Sequence, residues 1–204
     1  MDGMWPVIVT IGVFLAVLVP FANGLRAVVS AWSATRRVGT DELRRGQSDR
    51  TGGAEPLAIL MVRILQKSLR ENESEGQPSD FVFDASRQYV MNEYEHNYSR
   101  LISMYANLLP PLGFVGTTGG MLLNFISMHR NDEGLEVISL ALALSSSFFA
   151  LFSYAMLDAL KLRLYSRVLA ATRDVQVLYH KAESRRDQMT SDRPVVPKGA
   201  RASV

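Results

Sequence analysis

The chain has 204 residues, a formal net charge of +2 and no cysteine. The missing thiols exclude disulfides, thiolate catalysis, Cys-ligated metals and a lipoprotein anchor. Charge is unevenly spread: Gly3–Leu25, Leu101–Met128 and Val137–Leu157 hold no Asp, Glu, Lys or Arg, and each reaches the roughly 20 residues that cross a bilayer core.

The expected class is therefore an all-α membrane protein with three transmembrane helices, two of them extended into the cytoplasm. In chain order, residues 1–26 form the first transmembrane helix and 27–100 a cytoplasmic helical segment. The second transmembrane helix is 101–128, followed by a short periplasmic loop at 129–136. The third is 137–158, followed by a cytoplasmic helix at 159–190 and a disordered tail at 191–204.

Trp5 and Pro6 open the first span, and Pro20 is expected to kink its inner end. Its acidic start argues against a cleaved signal peptide, which wants a basic leader. Gly39–Glu55 is polar and reads as a loop. Pro56–Leu69 is amphipathic with Pro at its start, suited to packing on neighbouring helices or, alternatively, to lying on a membrane surface. Arg70–Asp80 breaks the pattern. From Phe81 a helical pattern resumes and runs unbroken into the second span. Past the third span, Leu160, Leu164, Val168, Ala171, Val175 and Leu178 continue an apolar stripe.

Half of the Lys and Arg residues lie in Arg26–Arg100, and nearly all the rest from Lys161 onward. The link His129–Glu136 holds one Arg against three acids. The positive-inside rule then puts the N-terminus and that link outside, and the C-terminus in the cytoplasm.

The second span reads "LPPLGFVGTTGGMLLNF" (Leu109–Phe125). Glycines and prolines weaken a helix in water. In lipid, helices associate instead through close backbone approach at small residues. Gly113, Gly116 and Gly120 fall on one face, with Thr117 at its edge and Asn124 continuing it, so that face is expected to receive another helix. In the third span Ser139, Ala143, Ser146, Ala150 and Ser153 share a side, with Ser147 beside them. Leu140, Leu144, Phe148 and Leu151 face elsewhere. Thr118 points away from the glycine face and is expected to bond its own backbone. No ionisable residue lies mid-span. Asp158 sits at the inner end, where Lys161 and Arg163 can neutralise it.

Leu101–Phe125 resembles the signature of the MotA/TolQ/ExbB proton-channel family. The positions that carry the likeness are Ala106, Pro110, Gly113, Gly116, Thr117, Gly120, Met121 and Phe125. In the third span Ala143-Leu144, Ser147 and Ala150-Leu151 align with the family's Ala-Leu, Thr and Gly-Leu. A register slip moves the hydroxyl role to Ser145 or Ser146. The membrane Glu of TolQ and ExbB falls at Leu142 and is missing. The three-span layout is closer to TolQ and ExbB than to MotA.

The resemblance implies a homo-pentamer in the bacterial inner membrane around two single-span partners of the ExbD/TolR/MotB kind. Each partner carries a membrane Asp, and the ring couples ion flow to rotation or force. It implies an ion path lined by Thr117 and Ser147, with Ser146 as the alternative. Pro110, Gly113, Gly116, Gly120, Asn124, Ala143 and Ala150 are then helix-packing and partner-facing. Proton and sodium both stay open. The other function considered is a non-conducting scaffold that organises partner helices. No enzymatic motif, cofactor site or metal-ligand spacing is present: His96, His129 and His180 are far apart. The basic tail reads as a solvated helix face, with contact to membrane lipid as the alternative, and no nucleic-acid partner is expected.

Overall fold

The computed structural model describes residues 5–45, 55–72, 78–130 and 133–191. The expected tail from 192 onward, and parts of the loops at 46–54, 73–77 and 131–132, lie outside the described residues. The elements are α1 (Trp5–Ala34), α2 (Thr40–Arg45), α3 (Leu57–Asn72), α4 (Ser79–Tyr94), a π-helical segment (Glu95–Ser99), α5 (Arg100–Arg130) and α6 (Glu133–Ser191). Every described element is helical. Three helical lengths are long and apolar enough to cross a membrane, within α1, within the continuous run α4–π–α5, and within α6. A lipid core offers backbone groups no water, so a helix that bonds its own backbone is what such sequences must form.

The frame is an antiparallel hairpin of α5 and α6, with α1 packed against both. Along α6 the seam residues are Ser139, Ala143, Ser146, Ala150, Ser153, Leu157, Leu164, Val168, Ala171 and Val175, with Leu142 and Thr172 buried beside them. Along α5 they include Ile102, Ala106, Leu109, Gly113, Gly116, Gly120 and Ser127. Both sets advance by fours, threes and sevens, the spacing of a left-handed coiled-coil seam. From Gly113 to Ser127 on α5 and from Ser139 to Ser153 on α6 the seam is Gly, Ala and Ser. Beyond those lengths it is chiefly Ile, Leu and Val, with Ala106 and Ala171 among them. Small residues allow the close backbone approach by which helices associate in lipid, whereas Ile, Leu and Val gain from burying apolar surface away from water.

Beyond the charge-free length, α4 runs back along the far half of α6. Phe83 stacks on Tyr179 at 5.8 Å, and Ser79 Oγ donates to Glu183 Oε1 at 3.1 Å. The buried stripe of this run advances in steps of four through Val82, Ser86, Val90 and Tyr94 to Ile102 and Ala106. On an α-helix each such step drifts by about 40°. The π segment between Tyr94 and Arg100 adds a residue to its turn and takes up part of that drift. Thus the second long helix has no break at residue 100; it starts at Ser79.

α3 packs on α4 and α6. Its apolar side, Leu57, Ala58, Ile59, Met61 and Leu65, is buried. Pro56 starts it, its carbonyl accepting from the amides of Ile59 and Leu60 at 2.9 and 3.1 Å. Of the two roles expected for this helix, packing on neighbours is the one the fold displays.

Three local expectations differ from the structure. α1 continues past residue 26 to Ala34, because Ala27–Thr35 carries no charge and Val28, Ala31, Ala34 and Thr35 are buried. Part of the Gly39–Glu55 loop is the short helix α2, where Asp41 and Glu42 occupy the first turn, a placement the helix dipole favours, and Leu43 anchors it in the core. Lys161 does not turn to Asp158: its Nζ donates to Ser103 Oγ at 2.7 Å, and Arg163 lies over the Trp32 ring. Asp158 has no ion pair among the described residues.

Candidate functional site

The small residues of α5 and α6 meet each other. A Cβ added at Gly113 would lie 2.6 Å from the Ala150 methyl, and one at Gly120 2.7 Å from the Ala143 methyl and 2.8 Å from its backbone. At Gly116 it would lie 2.6 Å from Ser146 and 2.9 Å from Val13 of α1. Real Cβ atoms do not approach so closely, so glycine is what lets the helices reach this separation. The helix that fills the glycine face is therefore α6 of the same chain, with α1 closing the side at Gly116. That face is not open to a second molecule.

The hydroxyls lie at the rim of this seam. Thr117 Oγ1 is hydrogen-bonded to Ser147 Oγ, across from α5 to α6. Thr117 Oγ1 also reaches the carbonyls of Gly113 at 2.9 Å and Ala143 at 3.3 Å. Ser147 Oγ reaches the Gly113 carbonyl at 3.3 Å. Both side chains are half-buried, partly sealed by the seam and partly open. Such a pair has donors and acceptors to offer a group arriving from outside, and adds no charge of its own.

The neighbouring serines have other surroundings. Ser146 is buried against Gly116 and bonds the carbonyls of Ala143 and Gly113 at 3.1 and 3.5 Å. Ser145 is exposed and bonds Leu142 at 3.2 Å. Of the three, Ser147 is the one whose hydroxyl meets Thr117. Thr118 is exposed and bonds back to Phe114 and Val115.

Ala143 and Ala150 are buried in the seam, and Pro110 is half-buried inside α5. Asn124 Oδ1 is buried without a hydrogen-bond partner. Leu142 is buried too. Phe149 packs edge-on against Phe14 of α1 at 5.7 Å, while Phe148 points outward. Spacing alone did not reveal the Lys161–Ser103 bond. The signal was available in the hairpin, since an antiparallel register that pairs Gly113 with Ala150 also brings Ser103 near residue 161. Among the described residues no cluster of three or more His, Asp or Glu is placed to hold a metal ion.

Fold and site together define an all-helical, multi-pass membrane protein with a hydroxyl pair set beside a glycine–alanine–serine seam. Comparison with models of known families, with curated proteins and with solved structures finds no match to this chain.

Proposed function

We propose that this chain is the ring subunit of an ion-driven motor of the TolQ/ExbB/MotA type in a bacterial inner membrane. Five copies surround two single-span partner helices, each carrying a membrane Asp. The observation that supports this is the meeting of Thr117 and Ser147 at a half-open rim, in lengths of helix that otherwise hold no charge.

An unpaired carboxylate at mid-membrane costs at least ~2.5–3.5 kcal/mol on insertion scales. Hydroxyls that hydrogen-bond the carboxylate offset part of that cost while leaving it free to take a proton. A membrane potential supplies ~2.3 kcal/mol per elementary charge per 100 mV. The two quantities are alike in size, so a gradient can drive protonation and release in turn. In this reading the glycine seam makes α5 and α6 a firm wall, and the hydroxyls are the part of the wall the partner meets. The chain is then a transducer rather than an enzyme, and takes no cofactor.

The test is ion flux in proteoliposomes holding this chain with a co-expressed partner, together with native mass measurement of the assembly. The expected results are a five-to-two assembly and a flux that Thr117→Val abolishes. Undiminished flux in Thr117→Val overturns the role of the pair. A second reading, a non-conducting scaffold, is favoured by the buried Leu142 at the place of the family's membrane Glu. It predicts the same assembly with no flux in the parent chain.

A further inference from the structure

Not every basic residue at the end of the apolar lengths finds an acid. Arg163 and Arg167 stand one turn apart on α6. Both place their guanidinium carbon over the ring of Trp32 on α1, at 5.5 and 4.2 Å from its centroid. Neither has an ion-pair partner among the described residues. Arg167 Nη1 is buried and makes no hydrogen bond. Like charges four residues apart on a helix repel, and a buried charged donor left unbonded carries its full desolvation cost. The ring offsets part of this. An anion between the two forks would offset the rest.

The surroundings say what kind of anion. Leu25 and Val29 precede Trp32 on the same face of α1, and Phe152 and Met156 precede Arg163 on the same face of α6. All four are exposed. They form an apolar strip that leads from the charge-free lengths down to the two guanidiniums. A Trp at this level marks the membrane interface, where lipid phosphates lie. Arginine forks match phosphate oxygens in pairs. A soluble phosphate has no use for the strip, whereas acyl chains do.

We propose that Trp32, Arg163 and Arg167 bind the phosphate of an anionic phospholipid, with its chains along Leu25, Val29, Phe152 and Met156. The site is independent of the motor reading and exists in a single copy of the chain.

The test uses the full-length Trp5→Phe variant in detergent, leaving Trp32 as the reporting tryptophan. Dioleoyl phosphatidylglycerol, dioleoyl phosphatidylcholine and inorganic phosphate are titrated separately while Trp32 emission is followed. Native mass measurement counts retained lipid. The glycerol lipid is expected to saturate the signal and to be retained over the choline lipid. Arg163→Gln/Arg167→Gln is expected to weaken it by about tenfold or more, the size of one charge-assisted hydrogen bond. Arg173→Gln/Arg185→Gln, which removes the same charge farther along α6, keeps the selectivity. Circular dichroism of each variant confirms equal helix content. Equal retention of both lipids overturns the proposal, as does unchanged selectivity in the Arg163/Arg167 variant. A full response to inorganic phosphate alone overturns it in favour of a soluble ligand.

Discussion

Thr117 on α5 and Ser147 on α6 share a hydroxyl–hydroxyl hydrogen bond across the seam of one hairpin. Each also reaches the Gly113 carbonyl, so neither depends on the other for satisfaction. Interhelical hydrogen bonds in membranes average about 0.6 kcal/mol in double-mutant cycles. Thr117→Val and Ser147→Ala should therefore each cost about 1 kcal/mol or less in hairpin stability, with a coupling near that average. Unfolding titrations of the four members of the cycle in mixed micelles measure it. A coupling of several kcal/mol would mean that the pair is chiefly structural.

Adjacent glycines should differ sharply. A Cβ at Gly120 meets the Ala143 backbone at 2.8 Å, whereas one at Gly119 meets nothing within 4 Å. Gly120→Ala must push α5 and α6 apart and should cost about 1–3 kcal/mol, as overpacking does. Gly119→Ala should be neutral or stabilising by up to about 1 kcal/mol through helix propensity. Melting temperatures of the two variants in one detergent decide the point.

Tyr94 lies outside the charge-free lengths. It is fully buried, and its hydroxyl has no hydrogen-bond partner. Burial, with a smaller contribution from Tyr165, pushes its pKa up to about 12. A raised acid pKa in the folded state means stability that is intact below the ordinary tyrosine value of about 10. That stability is lost progressively as pH climbs from there toward about 12. Tyr94→Phe removes a hydroxyl that is costly to bury unbonded. It should leave the melting temperature unchanged or raised at neutral pH, and should blunt the loss in alkali. A marked fall in melting temperature at neutral pH would mean that the hydroxyl has a partner.

Helix α3 is held by its apolar side. Ile59 and Met61 are wholly buried. Met61→Ala should cost about 2–5 kcal/mol and expose α3 to limited proteolysis, while Lys67→Ala, at a weak exposed pair with Glu71, should change stability by about 0.5 kcal/mol or less.

Much of this fold was legible in the order of residues. Charge-free runs marked three spans because ionic groups are costly in lipid, and the spacing of Gly113, Gly116 and Gly120 marked one face of α5. Spacing names the face but not the occupant. That α6 of the same chain fills it follows from the short link and from the matching small stripe Ala143–Ser146–Ala150, a complementarity visible only when two helices are considered together. The π segment was hidden because its cause is rotational drift accumulated over several turns. The Lys161–Ser103 bond was hidden because proximity along the chain favoured Asp158, while the hairpin register brought Ser103 nearer. For the hydroxyls, sequence left Ser145, Ser146 and Ser147 as alternatives. In the hairpin one is outside, one is packed under Gly116, and one meets Thr117.

α6 runs for 59 residues without interruption, about 90 Å at 1.5 Å per residue. Along a rod of that length, any tilt grows into a larger displacement with distance from its pivot. Between Ser147 and Glu183 the helix rises about 54 Å at 1.5 Å per residue, so a tilt of about 5° at Ser147 would move Glu183 by roughly 5 Å. Any small reorientation at Ser147 would thus be delivered, enlarged, to the distal platform where Phe83, Tyr179 and Glu183 join α4 to α6.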